Sequence, residues 1–211
     1  DQRWGTFYGA SAGWVASEEP WLKNKNINLL KLRVSYGRSG QSTTGGGRYA
    51  YQNTYGSATG YGFGYSGSHV NGFAETMAGN ANNKWEISDM LNIGLDFDFW
   101  NKKLYGAIDV FKEWRSNILV TRTSVPSLLG ISVAQDSYGK AETKGFEATL
   151  GHRGHIGNFN YYIEGMVTYN TNKITEMDET EPNVEWQRKT GNRIYDYTSV
   201  NGLYENAFNN G

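Results

Sequence analysis

The chain has 211 residues and a net charge of −1, so no excess of positive charge favours binding to nucleic acid. It contains no cysteine, which excludes disulfides and thiolate metal sites. Its 27 glycines, 15 tyrosines, 9 phenylalanines and 7 tryptophans, against 3 prolines, favour β structure with many turns. Mean hydropathy is −0.63, and no run approaches the roughly 18 apolar residues that a transmembrane helix needs.

Two strands are predicted in the first forty residues. Residues 6–17 alternate larger side chains with glycine and serine, and residues 29–40 alternate apolar side chains with Lys31, Arg33 and Ser35. A short polar connection at 18–28 separates them. The two basic side chains of the second strand fit either the wall of a water-filled lumen or an ordinary solvated face.

Residues 41–84 show no clean alternation and are predicted to form a long loop rich in glycine, serine and tyrosine. Tyrosine supplies contact area at low entropic cost, and glycine lets the backbone adapt, so this composition suits a binding surface. The side chains predicted to contact a substrate or a lid protein are Tyr49, Tyr51, Tyr55, Tyr61, Phe63 and Tyr65. The alternative is that these aromatic residues only pack the loop against itself.

Residues 85–119 predict a long β-hairpin. In its first arm apolar and polar residues alternate strictly, so one face is apolar and the other polar. The apolar residues of this arm are Leu91, Ile93, Leu95, Phe97 and Phe99, and we expect them to face lipid. Residues 101–103 form the turn, and the second arm repeats the alternation more loosely.

The arms of this hairpin are too long for an ordinary sheet, whose strands have about 5–6 residues. Roughly 16 residues at ~3.3 Å each extend about 50 Å, which crosses an apolar band of about 25 Å even when tilted by ~45°. Carboxylates alternating with leucine and phenylalanine suit a wall between lipid and water. A long hairpin in a soluble β-sandwich or β-solenoid is the alternative.

The remaining elements sort their connections by length. After the connection 121–140, strands are predicted at 141–151 and 159–174, with a short turn at 152–158 and a polar stretch at 176–200. Short and long connections therefore alternate, and up-and-down strands place all the long ones at one end. Outer-membrane barrels have this asymmetry, with short periplasmic turns and long external loops. About six strands are fewer than the eight of the smallest such barrels, so the sequence predicts part of a larger one.

No catalytic constellation is evident, so we expect no enzyme. His152 and His155 are only three residues apart in the predicted turn, and without a third ligand nearby a solvated turn is favoured over a zinc site. The acidic run 176–181 has oxygen ligands for Ca²⁺ but lacks the spacing of a calcium loop, which favours a solvated loop. We therefore predict no cofactor.

Five strings in order resemble one family. They are W-V-A-S-E-E at 14–19, L-K-L-R-V-S-Y-G-R-S-G at 30–40, K-W-E-I-S-D-M-L-N-I-G-L-D-F at 84–97, F-W-N-K-K-L-Y-G-A-I-D-V-F at 99–111 and A-E-T-K-G-F-E-A-T-L at 141–150. Together they resemble the C-terminal part of the barrel in SusC-like TonB-dependent outer-membrane transporters of Bacteroidetes. The resemblance implies an antiparallel transmembrane β-barrel of about 22 strands, of which residues 1–211 form part of a single barrel domain.

The resemblance also implies a function and partners. Such transporters import oligosaccharides or peptides across the bacterial outer membrane, using energy from TonB and a SusD-like lipoprotein as an external lid. No part of this sequence matches the plug or the TonB-contacting segment, so both are expected outside this chain. Two alternatives stay open, namely a receptor for a siderophore or vitamin, and a SusC-like barrel that serves as a structural subunit of a larger outer-membrane complex.

Overall fold

A computed structural model describes residues 4–23, 26–42, 49, 51–65, 67–81, 83–122, 130–182 and 184–194. These residues are almost wholly β structure, interrupted by two single-turn 3-10 helices at Ala16–Glu18 and Glu185–Gln187. Neither of these helices, nor any other in the described ranges, has the length and hydropathy to span a membrane.

Nine strands follow one another along the described chain. They are β1 (Tyr8–Val15), β2 (Ile27–Gln41), β3 (Thr54–Phe63), β4 (Ser68–Ala78), β5 (Glu86–Phe99), β6 (Leu104–Val120), β7 (Ser132–Val133), β8 (Asp136–Ile156) and β9 (Phe159–Glu176). Six form one sheet in the order β1-β2-β5-β6-β8-β9, and β3, β4 and β7 form a smaller one. Every neighbouring pair in the large sheet is antiparallel, so the predicted all-β, up-and-down architecture is confirmed.

The predicted central hairpin is β5 and β6. Its register pairs Phe99 with Leu104 and continues without a break to Ile87 opposite Ser116. The turn is tight because Trp100, Asn101 and Lys102 all have left-handed backbone angles, with φ of 52°, 56° and 65°. This conformation is uncommon outside glycine and asparagine.

The segment 41–84 was predicted to form a loop, but it contains two strands. β3 and β4 pair as an antiparallel hairpin from Tyr55 opposite Glu75 to Phe63 opposite Ser68, with a bulge between Ala58 and Tyr61. The bulge explains why no alternation is visible, since one extra residue moves the following side chains to the other face. Glycine makes it possible, because a Cβ at Gly60 would collide with the carbonyl of Val70.

The predicted turn at 152–158 is also wrong. β8 continues to Ile156, and β9 begins at Phe159, so the connection is only Gly157-Asn158. Gly157 has a φ of +60°, which suits glycine in a two-residue turn. The histidine, arginine and glycine before it resemble loop residues in composition, but pairing with β9 holds them in the strand.

Connections in the structure alternate in length as predicted. β1 joins β2, β5 joins β6, and β8 joins β9 at one end of the large sheet, through the shorter connections. The strand ends that lead into the connections 42–85 and 121–135, and the end of β9 at Glu176, all lie at the other end. The small sheet of β3, β4 and β7 therefore belongs to that end, and we call it the loop end.

The described residues enclose almost no core. The only buried apolar side chains among them belong to Ala16, Ala134 and Ala141. Large apolar side chains in the middle of the big sheet remain open, with Val110 exposed by 55% and Leu150 by 54%. A sheet that leaves such a surface uncovered needs another apolar phase or chain against it.

Candidate functional site

The large sheet has one apolar face. The five residues predicted to face lipid lie on it together, since each is directly opposite an apolar or aromatic neighbour on β2, from Leu91 opposite Tyr36 to Phe99 opposite Ile27. On the other side of β5, Ile93 pairs with Val110 and Leu95 with Ile108. The apolar face then continues across β8 and β9 through Phe146, Ala148, Leu150, Val167 and Tyr169.

The opposite face is polar and holds an ion-pair network across three strands. The guanidinium of Arg33 on β2 donates two hydrogen bonds to Asp96 on β5, from Nε at 2.8 Å and from Nη2 at 2.9 Å. Nη2 also donates to Oδ2 of Asp109 on β6 at 3.0 Å. All three side chains are partly exposed, which suits a face in contact with water.

Aromatic side chains lie where the apolar face ends. Toward the loop end, Tyr8 and Tyr36 have ring centroids 6.3 Å apart, and the guanidinium of Arg38 lies 5.3 Å from the ring of Tyr8. Toward the turn end, Phe97 and Phe99 stack at 5.5 Å, and Trp100 lies 5.9 Å from Phe99. Aromatic girdles at both borders of an apolar band are a feature of membrane barrels.

The hairpin of β3 and β4 is fixed at its base. β4 pairs with β7 in parallel, with Met77 opposite Ser132 and Ala78 opposite Val133. The amide of Ala134 donates to the carbonyl of Ala78 at 2.9 Å, and the Asn80 side chain donates to the carbonyl of Gln135 at 3.0 Å. Two long connections are thereby joined, and the hairpin is held against the start of β8.

Most of the predicted contact residues lie on this hairpin or beside it. Tyr55 is exposed by 61% and Tyr61 by 73%, while Tyr65 is fully exposed at the hairpin tip. The bulge places Tyr55 on one face of the hairpin with Phe73, and Tyr61 on the other face opposite Val70. Tyr49 and Tyr51 precede β3, with ring centroids 6.3 Å apart, and the side chain of Phe63 lies outside the described part of the chain.

Exposed aromatic groups are therefore present on both faces of the hairpin. Phe73, which is exposed by 78%, was missed in the sequence because it was not recognised as a strand residue.

The segment after β9 folds back on the strand end. Glu179 Oε1 accepts a hydrogen bond from the Lys189 amide at 2.6 Å, and Oε2 accepts from the amide and hydroxyl of Thr190 at 3.0 and 2.9 Å. The Gly191 amide donates to the carbonyl of Ile174 at 2.8 Å. Burial raises the pKa of Glu179, but these hydrogen bonds outweigh it and lower the pKa below its usual value.

The structure separates the two histidines considered as metal ligands. His152 and His155 lie in β8, and an odd spacing along a strand places them on opposite faces. His152 Nε2 lies 3.4 Å from the hydroxyl of Tyr161.

In the acidic run, Glu176 pairs with Lys140 and Asp178 with Arg122. No three His, Asp or Glu side chains cluster as a metal site within the described ranges.

Comparison with protein families decides the identity of this sheet. Residues 1–208 match the family described as TonB dependent receptor-like, beta-barrel. The chain belongs to this family. Its six long strands are part of a transmembrane β-barrel in the outer membrane of a Gram-negative bacterium, as TonB-dependent receptor barrels are.

Two relatives confirm the predicted resemblance to SusC-like TonB-dependent proteins. The TonB-dependent receptor SusC of Bacteroides thetaiotaomicron is 30% identical over 188 residues, which cover 84% of this chain and 18% of SusC. A TonB-dependent receptor of Formosa agariphila is 29% identical over 181 residues, 84% of this chain and 16% of that protein. The chain thus spans less than a fifth of the length of either relative. Both relatives are named receptors, which supports a non-enzymatic role.

Solved structures share the fold. The RagAB peptide importer in its open-open state aligns with a TM-score of 0.68 and 22% identity, over 84% of this chain and 19% of that one. The RagAB peptide transporter aligns with a TM-score of 0.66 and 21% identity, over 81% and 18%. At this identity the likeness shows the barrel fold alone.

Proposed function

We propose that this chain forms part of the barrel wall of a transporter that imports oligosaccharides or peptides across the outer membrane. The observation that carries the proposal is the family match over residues 1–208, together with 30% identity to SusC. In this proposal the import is driven through TonB, contacted by a segment outside this chain. A SusD-like lipoprotein covers the external side.

We further propose that the apolar face of the sheet meets lipid and that the polar face lines the lumen. The apolar face is open, with Ile93 exposed by 45% and Val110 by 55%, and it is bordered by aromatic groups at both ends. The polar face carries the charges of Arg33, Asp96 and Asp109, which are costly against lipid and favourable against water. Leu91, Ile93, Leu95, Phe97 and Phe99 are then lipid-facing.

The loop end is then external, and the hairpin of β3 and β4 stands where cargo arrives. We propose that its aromatic side chains contact the substrate or the lid protein. Three features support this role, namely the exposure of Tyr55, Tyr61 and Tyr65, the added aromatic surface of Phe73, and the fixed base at β7. A rigidly held aromatic surface loses little entropy on binding.

The proposal is tested by replacing Tyr61, Phe63 and Tyr65 with alanine in the full-length transporter. If these residues contact cargo or lid, uptake of labelled oligosaccharide or peptide, or co-purification of the lipoprotein, should fall at least about tenfold. The barrel should keep its heat stability, because the hairpin base is untouched. Unchanged uptake and unchanged lid association in an assembled barrel would contradict the contact.

A matched variant controls for the loss of aromatic area as such. Phe159 is exposed by 68% at the opposite end of the sheet, beside the turn between β8 and β9. Phe159→Ala should leave uptake and lid association at the wild-type level. A second variant, Tyr55→Ala with Phe73→Ala, shows whether the other face of the hairpin makes the contact.

A further inference from the structure

A shallow groove of about 560 Å³ runs along the apolar face of the sheet. Four strands form it, through Ile93 on β5, Ile108 and Val110 on β6, Phe146 on β8 and Tyr169 on β9. Its walls are almost entirely apolar up to the end nearest the loops. There the side chains of Lys112 and Lys144 line it.

These two lysines are directly opposite each other in the register of β6 and β8. Like charges in that position repel and destabilise a strand pair. Lys112 is partly compensated, since its Nζ lies 3.1 Å from Oε1 of Glu142 and 5.0 Å from the ring of Trp114. Lys144 makes no ion pair with any residue in the described ranges, and its side chain is exposed.

The surroundings add positive rather than negative charge. Glu142, which pairs with Lys112, is opposite Lys173 on β9, so a third ammonium group lies beside the same carboxylate. Two ion pairs lie on this face near the same border, Arg38 with Asp89 at 2.8 Å and Lys140 with Glu176, and neither adds net charge. The upper end of the groove therefore attracts an anion, while its length attracts hydrocarbon.

We propose that this groove binds an anionic lipid of the external leaflet, with a phosphate between Lys112 and Lys144 and an acyl chain along Ile93, Ile108 and Phe146. The inference rests on the proposed lipid-facing side of the sheet. A lipid has the required polarity, since its charge is confined to one end and lies at the border of the apolar band. A protein partner would need polar contacts along the groove, whose walls are apolar.

The test uses the full-length transporter in detergent and native mass spectrometry with added lipid. The probes are an acylated disaccharide lipid carrying one phosphate and the same lipid after dephosphorylation. Wild type should retain the phosphorylated form preferentially. Lys112→Gln with Lys144→Gln should weaken its retention by roughly 30-fold, the effect of two lysines beside an anionic headgroup. Lys112→Arg with Lys144→Arg should retain it.

A control pair removes the same charge elsewhere. Lys102→Gln with Lys103→Gln, in the turn at the other end of the sheet, should leave lipid retention unchanged. Equal retention of both lipids by wild type would overturn the proposal, and so would a glutamine pair that binds like wild type. Loss of a co-purifying protein from the glutamine pair, with lipid retention unaffected, would assign the groove to that protein instead.

A second measurement separates this proposal from the one it rests on. Fluorophores attached at Ile108→Cys and Asp109→Cys are compared for quenching by brominated lipid. If Asp109 rather than Ile108 is quenched, the lipid-facing assignment and the lipid site both fall. If Ile108 is quenched and the lysines prove irrelevant, only the lipid site falls. If the wild-type barrel binds the lipid but imports no oligosaccharide or peptide, only the proposed transport function falls.

Discussion

Gly94 leaves the space in which the side chain of Arg33 crosses the sheet. A Cβ at Gly94 would lie 2.7 Å from Cζ of Arg33 and 2.5 Å from Oδ1 of Asp109, closer than such atoms can approach. The guanidinium therefore lies over the backbone of β5, where it reaches Asp96 on that strand and Asp109 on β6. One missing methyl group allows a single arginine to link β2, β5 and β6.

This geometry predicts that Gly94→Ala disrupts the network. The added methyl group should displace Arg33 and leave Asp96 and Asp109 without their counter-ion, at a cost of about 1–3 kcal/mol. Urea titration of the assembled transporter should show the loss. Gly37→Ala is the control, because Gly37 lies on the same polar face. Apart from its chain neighbours, the only described atom within 4 Å of its Cβ position is the Tyr8 carbonyl oxygen, at 3.9 Å. Equal stability of the two variants would refute the role of Gly94.

The two faces of β5 should respond differently to charge. Arginine at Leu95, in the middle of the apolar face, should destabilise the barrel by about 2–4 kcal/mol if that face meets lipid. Arginine at Asn92, on the polar face, should cost much less because its side chain reaches water. Assembly into the outer membrane and resistance to heat-induced unfolding measure both. Similar costs at the two positions would sink the lipid-facing assignment.

Orientation can be checked by labelling single cysteines, since this chain has none of its own. Ser57→Cys, at an exposed position of β3, should react on intact cells with a thiol reagent that cannot cross the outer membrane. Lys102→Cys, in the turn between β5 and β6, should react only after the membrane is permeabilised. The reverse pattern would place the hairpin of β3 and β4 on the periplasmic side.

The large sheet was predictable because its strands are long and alternate regularly. Strict alternation from Leu91 to Phe99 and the short turn after Trp100 define the central hairpin, and the register follows from the turn. With this register, Asp109 is opposite Gly94. The network with Arg33 was still missed, because the connection 42–85 leaves the register of β2 against β5 undetermined by sequence.

Local composition led to two wrong predictions, the loop at 41–84 and the turn at 152–158. In β3, Gly56, Gly60 and Gly62 replace the side chains that would reveal alternation, and the bulge then reverses its phase. At the end of β8, His152-Arg153-Gly154-His155 has the composition of a turn but is held by pairing with β9. In both cases cross-strand pairing determines the structure, and a single strand's sequence contains little information on its partner.

Glu179 provides a prediction on pH. Hydrogen bonds from Lys189 and Thr190 favour its charged form and lower its pKa where the described residues after β9 fold back on the strand end. A group whose folded-state pKa is lowered stabilises above its usual pKa of about 4.3 and loses that contribution as the pH falls through the lowered value. The segment should therefore stay folded against the end of β9, its closed state, at neutral pH. Its amides at 189 and 190 should lose protection from hydrogen exchange, after correction for intrinsic rates, only in acid below that usual pKa.

Substitution at neutral pH should reproduce the effect of acid. In Glu179→Gln the charged acceptor is gone, and one of its two oxygens becomes a donor that cannot pair with the Lys189 or Thr190 amide. A loss of about 1.5 kcal/mol would raise the open population, and with it tryptic cleavage after Arg188 and Lys189, roughly tenfold. Glu181→Gln removes the same charge from the same acidic run and should cleave at the wild-type rate, because no hydrogen bond from the 189–190 backbone to Glu181 is present among the described residues. If Glu179→Gln is as resistant to trypsin as Glu181→Gln, the carboxylate does not hold this segment closed.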